Sequence, residues 1–145
     1  EFLICKLRTM NENSELNGPE WSSKNDQRVT KIGKFLRKYR LDEIPQLISV
    51  IRGEMSLIGP RPERPELENR LKEEIRNYNL KYLLKPGLSG WSQVIYPYGA
   101  SVYDSEMKLS YDLFYLKNFS LTLDIIIFFK TIKLVFNAQG SEPNL

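Results

Sequence analysis

Arg37-Lys38-Tyr39-Arg40-Leu41-Asp42-Glu43-Ile44-Pro45-Gln46-Leu47 sets two adjacent carboxylates behind three cationic side chains and at the head of an apolar run. Aspartate at an N-cap, proline within the first turn and Ile44, Leu47, Ile48 and Ile51 at helical spacing predict a short helix that stops at Gly53. Upstream, Thr30 has the chemistry of an N-cap for a helix whose apolar face is Ile32, Phe35, Leu36 and Tyr39, with Arg37 on another flank. An aspartate at a helix start has an ordinary use, accepting hydrogen bonds from the first free amides, worth about 1 kcal/mol. The same amides, the helix dipole and Arg37 also make an anion site, and both surroundings favour an ionised Asp42. A phosphorylated substrate brought there meets a carboxylate already within reach.

The rest of the fold reads outward from this stretch. Residues 2–9 alternate loosely in polarity and predict one strand, and residues 11–26, rich in Asn, Ser, Glu and Gly, predict a loop that is a lid or an insertion. Residues 66–84 predict a charged helix with Leu67, Leu71, Ile75 and Tyr78 as its inner face, ended by Lys85-Pro86-Gly87. A short extended piece at 91–94 leads to a turn at Tyr96-Pro97-Tyr98-Gly99. Two final helices, 102–117 and 121–136, part at Asn118, with Ser120 or Thr122 as cap. No internal repeat or low-complexity tract interrupts them, so the expected fold is a helix-rich α+β single domain with a small β component.

Composition narrows the chemistry. At 145 residues the chain can bury a core without metal or disulfide staples, and its single cysteine, Cys5, cannot form an internal bridge. It contains no histidine, which removes a Ser-His-Asp triad, a His-ligated zinc and any imidazole acid-base step from within this chain. Carboxylates, Lys, Arg and Tyr must carry the chemistry. The net charge of +3 comes from well-mixed acids and bases, without the basic stripe of a nucleic-acid binder, so anionic lipid or a phosphorylated substrate is the expected partner. No stretch reaches the roughly 18 consecutive apolar residues of a spanning helix.

Further blocks stand in order along the chain: residues 2–10 with Lys6-Leu7-Arg8-Thr9-Met10, residues 26–37, Gly59-Pro60-Arg61-Pro62, residues 85–94, Tyr111-Asp112-Leu113-Phe114-Tyr115-Leu116-Lys117-Asn118, and Leu123-Asp124. With the Asp42-Glu43 stretch they resemble the bacterial sugar transferases over nearly the whole chain. These are membrane-bound phosphoglycosyl transferases that move a sugar phosphate from a nucleotide sugar to a polyprenyl phosphate. The resemblance implies that Asp42 is the nucleophile and a Mg2+ ligand, with Glu43 as its catalytic partner. Asp42 would attack the phosphate nearer the sugar, expel the nucleoside monophosphate and leave a covalent sugar phosphate for polyprenyl phosphate to take. Two carboxylates repel a diphosphate, so a divalent cation and arginines are needed, and Mg2+ with oxygen ligands suits a chain without histidine.

The same resemblance makes Arg37, Arg61 and Lys6 the candidate phosphate contacts, since a guanidinium binds two phosphate oxygens at once. Pro60 and Pro62 fix the backbone on both sides of Arg61, where an ordinary tight turn would serve a mere connection. Asp112 and Asp124 match family acids, although each could equally cap a helix or pair with a lysine. Arg40 departs from the family's usual Ser or Thr; it either adds positive potential or faces solvent.

The resemblance further implies a membrane-embedded anchor ahead of Glu1, so that residues 1–145 would be the cytosolic catalytic portion of a longer protein at the cytoplasmic face of the bacterial inner membrane. Residues 121–136 are apolar but interrupted by Lys130 and Lys133. They are too short and charged to span, and suit either the core or the lipid headgroup plane. Residues 96–101 and 61–66 look like the exopolysaccharide-initiating branch, which commonly uses a UDP-hexose, with an N-acetylated sugar also open. Two rival readings remain: a noncatalytic membrane-surface phosphate-binding module, and an aspartyl-phosphate hydrolase with water as acceptor.

Overall fold

The computed structural model describes residues 2–14, 18, 22–23, 26–96, 99 and 101–138. It has six α-helices, two 3₁₀ helices and two strands among them: α1 (Lys31–Lys38), a 3₁₀ helix (Leu41–Gln46), α2 (Leu47–Ile51), β1 (Ser56–Ile58), α3 (Pro65–Glu74), a second 3₁₀ helix (Tyr78–Leu83), β2 (Gly87–Ser89), α4 (Trp91–Ile95), α5 (Val102–Asn118) and α6 (Leu121–Phe136). The expected helix-rich α+β domain with a small β component is what forms.

Its core lies where α3 and the second 3₁₀ helix meet α5. Leu71, Ile75, Tyr78 and Leu109 are buried together there, with Val102 and Leu113 against them. α5 begins with a capping box, in which Ser101 and Asp104 satisfy each other's backbone N–H. α6 begins at Ser120, whose hydroxyl accepts from the Leu123 amide. The two helices are tied by the buried Tyr115, whose hydroxyl donates to Asp124 Oδ1 at 2.6 Å. Asp124 is therefore a structural acceptor. α4 packs on both long helices, with the Trp91 and Phe114 rings stacked at 5.8 Å.

β1 and β2 form a parallel pair in the register Ser56 to Gly87 and Ile58 to Ser89. Parallel strands need a crossover, here α3 with the second 3₁₀ helix. α6 closes over both strands, and the Ser89 and Thr131 hydroxyls meet at 2.5 Å.

Several expectations change. Residues 2–9 form no strand: their hydrogen bonds go singly to the loop and helix beside them, as from Leu7 N–H to Asp42 O and from Thr30 N–H to Thr9 O, and only Met10 bridges Val29. The predicted 66–84 helix breaks after Glu74, because Ile75 turns extended and Asn77 is left-handed at φ 62°, a conformation asparagine tolerates. Residues 91–94 lie in helix α4, and the extended piece is the three residues before Gly90. The α1 face stands largely in solvent, with Ile32 72% and Phe35 56% exposed. The loop assigned to 11–26 as a lid or an insertion and the turn at 96–99 fall in good part outside the described residues. No helix among the described residues is long and apolar enough to cross a membrane.

At the end of the β1–β2 pair the backbones of Gly59 and Gly87 approach too closely to admit a Cβ. A Cβ on Gly87 would stand 2.1 Å from Gly59 N. Overpacking usually costs about 1–3 kcal/mol, and here the obstacle is backbone. Gly87→Ala is expected to lower thermal stability by at least that much. A melting temperature equal to wild type would refute the close crossing.

Candidate active site

The site begins with a chain reversal. α1 ends at Lys38, and Arg40 enters the left-handed region at φ 54°. The chain then winds directly into the 3₁₀ helix, so Asp42 and Glu43 occupy its first turn. Asp42 is thus not an N-cap, as the sequence suggests. Arg40 holds that position and makes no side-chain cap bond. Pro45, which cannot donate to a helical ladder, sits inside the tighter winding.

Three segments converge on Glu43. The Leu7 N–H donates to Asp42 O at 3.0 Å, which brings Lys6 Nζ to 3.1 Å from Glu43 Oε1. From the other side, Arg61 Nη2 donates to the same oxygen at 2.5 Å. Arg40 Nη1 stands 3.8 Å from Oε2. The turn that presents Arg61 is pinned on both edges, since Gly59 N–H donates to Ser89 O at 2.8 Å and Gly87 N–H to Pro60 O at 2.9 Å. The β1–β2 pair therefore aims Arg61.

Electrostatics divide the two acids. Burial alone would raise Glu43, but the charges of Arg61 and Lys6, the Arg61 hydrogen bond and the Arg40 charge outweigh it and hold the carboxyl well below the usual range. Asp42 moves the opposite way. Burial raises it, as does the negative charge of Glu43, and Lys6, its own backbone N–H and Arg37 offset this only in part. The surroundings expected to favour an ionised Asp42 do not prevail, because its short 3₁₀ helix supplies little dipole and the nearest cations are spent on Glu43. Asp42 forms no ion pair with a described residue.

Arg37 stands at the edge of this cluster, close enough for its charge to act on Asp42. Its Nε donates to Thr9 Oγ1 at 2.8 Å and its Nη1 to Ser22 Oγ at 3.0 Å. Ser22 in turn donates to Asp26, which Arg28 grips through Nε at 2.9 Å and Nη2 at 2.7 Å. Sequence reasoning missed this tether, because neither Ser22 nor Asp26 stands out in a polar loop.

Asp112 belongs to a second, deeper cluster. It is 3% exposed, lies beside Ser92, and has no hydrogen-bond partner for Oδ1 among the described residues. The buried Lys81 faces it electrostatically and donates to Tyr78 OH at 3.3 Å, with its ammonium 4.8 Å from the centre of the Tyr78 ring. Nothing in the local sequence Tyr78-Asn79-Leu80-Lys81-Tyr82-Leu83 marks Lys81 as internal. Glu63 and Lys108 act on Asp112, and Lys108 also feels Arg61, so the two clusters adjoin on the Arg61 side. The structure thus gathers Lys6, Asp42, Glu43, Arg61, Pro60 and Pro62, sets Arg37 at the margin and places Asp112 behind.

The sequence that builds this site has known relatives. The profile of the bacterial sugar transferases matches residues 1–138, and the chain belongs to that family. It is 44% identical over 142 residues to the UDP-N-acetylgalactosamine-undecaprenyl-phosphate N-acetylgalactosaminephosphotransferase of Aeromonas hydrophila, over 98% of this chain and 34% of that protein. It is 38% identical to the undecaprenyl-phosphate glucose phosphotransferase of Komagataeibacter xylinus, over 91% of this chain and 26% of the relative. To the undecaprenyl-phosphate galactose phosphotransferase of Salmonella typhimurium it is 37% identical, over 93% of this chain and 28% of the relative. The chain spans about a third or less of the length of these proteins.

Asp112 gives a pH signature. Burial raises it from 3.8 to about 6, with Lys81 and Ser92 opposing and Glu63 adding. Between those values the folded chain binds the proton and the unfolded chain does not, so stability falls as pH rises from about 4 to 6. The lost stability is on the order of 2–3 kcal/mol. Asp112→Asn should therefore be more stable than wild type at pH 8, with the gap closing toward pH 4. Denaturant melts across that range check it; a gap of constant size would contradict a buried, titrating Asp112.

Proposed function

We propose that this chain is the catalytic domain of a phosphoglycosyl transferase that moves a sugar phosphate from a UDP-sugar to polyprenyl phosphate and so starts a surface glycan or exopolysaccharide. The observation that carries this reading is the unequal dyad: Glu43 is clasped by three cations while Asp42, beside it, has no ion-pair partner among the described residues. A carboxylate of raised basicity next to a set of phosphate-binding cations is arranged to attack phosphorus.

In the proposed reaction an Asp42 carboxylate oxygen attacks the donor phosphorus that bears the sugar. The bond from that phosphorus to the bridging oxygen breaks, and uridine monophosphate leaves with the electron pair. An acyl phosphate joins Asp42 to the sugar phosphate. An oxygen of polyprenyl phosphate then attacks the same phosphorus, the bond to Asp42 breaks, and the carboxylate is restored with the polyprenyl diphosphosugar as product. No net proton is consumed. Arg61 and Lys6 hold phosphate oxygens in both steps, and Arg37, oriented by Thr9 and Ser22, adds charge at the rim.

The donor set suits Mg2+ in one mode. No group of three or more potential metal ligands occurs among the described residues, but Asp42 without an ion-pair partner offers the single carboxylate that Mg2+ uses together with substrate phosphates. Asp42 would hold the ion, which when bound offsets the charge of the diphosphate and the leaving group. The acceptor implies lipid, and the structure offers it surface. Ile32 and Phe35 on α1 stand exposed among the exposed Lys31, Lys34 and Lys38, and Ile44, Ile48 and Ile51 continue this apolar exposure past the dyad. Basic, apolar helices of this kind lie in the headgroup plane. Residues 121–136 add exposed Leu121, Ile125, Phe128 and Phe129. On this reading the site works at the cytoplasmic face of the bacterial inner membrane.

The test is uridine monophosphate release by the full chain in lipid, with UDP-galactose, UDP-glucose and their N-acetylated forms, with and without polyprenyl phosphate. Sustained release that requires the acceptor is expected. Steady release without it would make the enzyme a hydrolase, and none with any donor would leave a binding module. Asp42→Asn should abolish turnover with the fold intact. Arg61→Lys should lose at least about tenfold, since an ammonium cannot make the two-point contact, whereas the exposed Arg64→Lys should not.

A further inference from the structure

We propose that Arg40 is a further phosphate-binding residue, the third cation of a cradle that takes the donor diphosphate by exchanging Glu43 for phosphate oxygens. The proposal rests on the transferase reading above and adds a residue that the resemblance to the family does not supply.

Of the two uses open to Arg40 from sequence, solvent exposure fails, because its side chain is only 21% exposed and turns toward Glu43. The backbone under it is left-handed, a conformation that favours glycine or asparagine, so an arginine there is held against its own preference. That twist lets one residue close α1 and direct a guanidinium back over the dyad. Arg40 feels both Asp42 and Arg61 as well as Glu43, which places it inside the cluster.

The arrangement around Glu43 has the form of an anion site with a stand-in ligand. One carboxylate oxygen receives Lys6 at 3.1 Å and Arg61 at 2.5 Å, and the other faces Arg40 at 3.8 Å. The Arg40 distance is that of an ion pair, longer than a hydrogen bond. Two oxygens of one phosphate present the same face to such cations as the two oxygens of a carboxylate. Lys6, Arg37, Arg40 and Arg61 set against Asp42 and Glu43 leave a surplus of two positive charges. A nucleoside diphosphate sugar, with two ionised phosphates, is the ligand class that matches it.

The experiment measures binding of UDP and of inorganic pyrophosphate to the full chain by calorimetry, at low and high salt, together with KM and kcat for the preferred UDP-sugar. Arg40→Asn keeps a residue that accepts the left-handed backbone, and Arg40→Lys keeps the charge. Arg40→Asn should weaken UDP about tenfold, flatten the salt dependence, and raise KM more than it lowers kcat, with Arg40→Lys recovering part of the loss. UDP and pyrophosphate affinities within twofold of wild type in Arg40→Asn would overturn the proposal. Pyrophosphate binding without UDP binding by wild type would sink the UDP-sugar reading alone, and Arg40 would then be judged on pyrophosphate by the same tenfold loss. Binding of neither by wild type would overturn both.

Discussion

The carboxylate of Glu43 is the point on which the structure converges. Lys6 arrives on the first described segment, Arg61 on the rigid turn after β1, and Arg40 on the reversal that ends α1. These pieces are far apart in sequence and share no regular hydrogen-bond ladder. A carboxylate that is 11% exposed must have partners, since removing one partner from a buried pair costs more than the pair contributes net. The parallel contact of β1 and β2, the two glycines that cross there and the prolines around Arg61 all serve that geometry. The small sheet is the jig that brings Arg61 to Glu43.

That convergence explains why two neighbouring acids differ. Glu43 absorbs the positive charge and remains ionised, while Asp42 keeps its burial and its repulsion from Glu43 and becomes the more basic group. A pair of acids whose surroundings push them apart is a common sign of divided labour. In the proposed reaction Glu43 holds the cations in place before the donor arrives, and Asp42 is left to react. The clasp also limits how far the cations must reorganise, because a phosphate enters a position already shaped around an anion.

Much of this was legible in the sequence where local chemistry decides the outcome. Thr30 caps α1, Ser120 caps the last helix, and Leu71, Ile75 and Tyr78 line the core as their spacing implies. The site residues near Asp42 were legible through their motifs, and Pro60 and Pro62 announced a fixed Arg61. What escaped was set by tertiary context. Strands of three residues carry no alternation to read, so β1 and β2 became visible only through their pairing. Asn77 breaks a pattern that otherwise continues as a helix, and the left-handed Arg40 moves Asp42 off the cap it resembles. Lys81 is internal only because two tyrosine rings and Asp112 receive it. No local signal distinguishes it from its solvated neighbours.

The central claim is that Asp42, and not Glu43, forms the bond to phosphorus. Its most direct test is intact-protein and peptide mass spectrometry of the full chain quenched after mixing with a UDP-sugar in the absence of polyprenyl phosphate. The account predicts a mass increase of one sugar phosphate, located to Asp42, lost on addition of polyprenyl phosphate and absent in Asp42→Asn. An adduct on Glu43, or acceptor-dependent turnover by a protein that never carries an adduct, would contradict it.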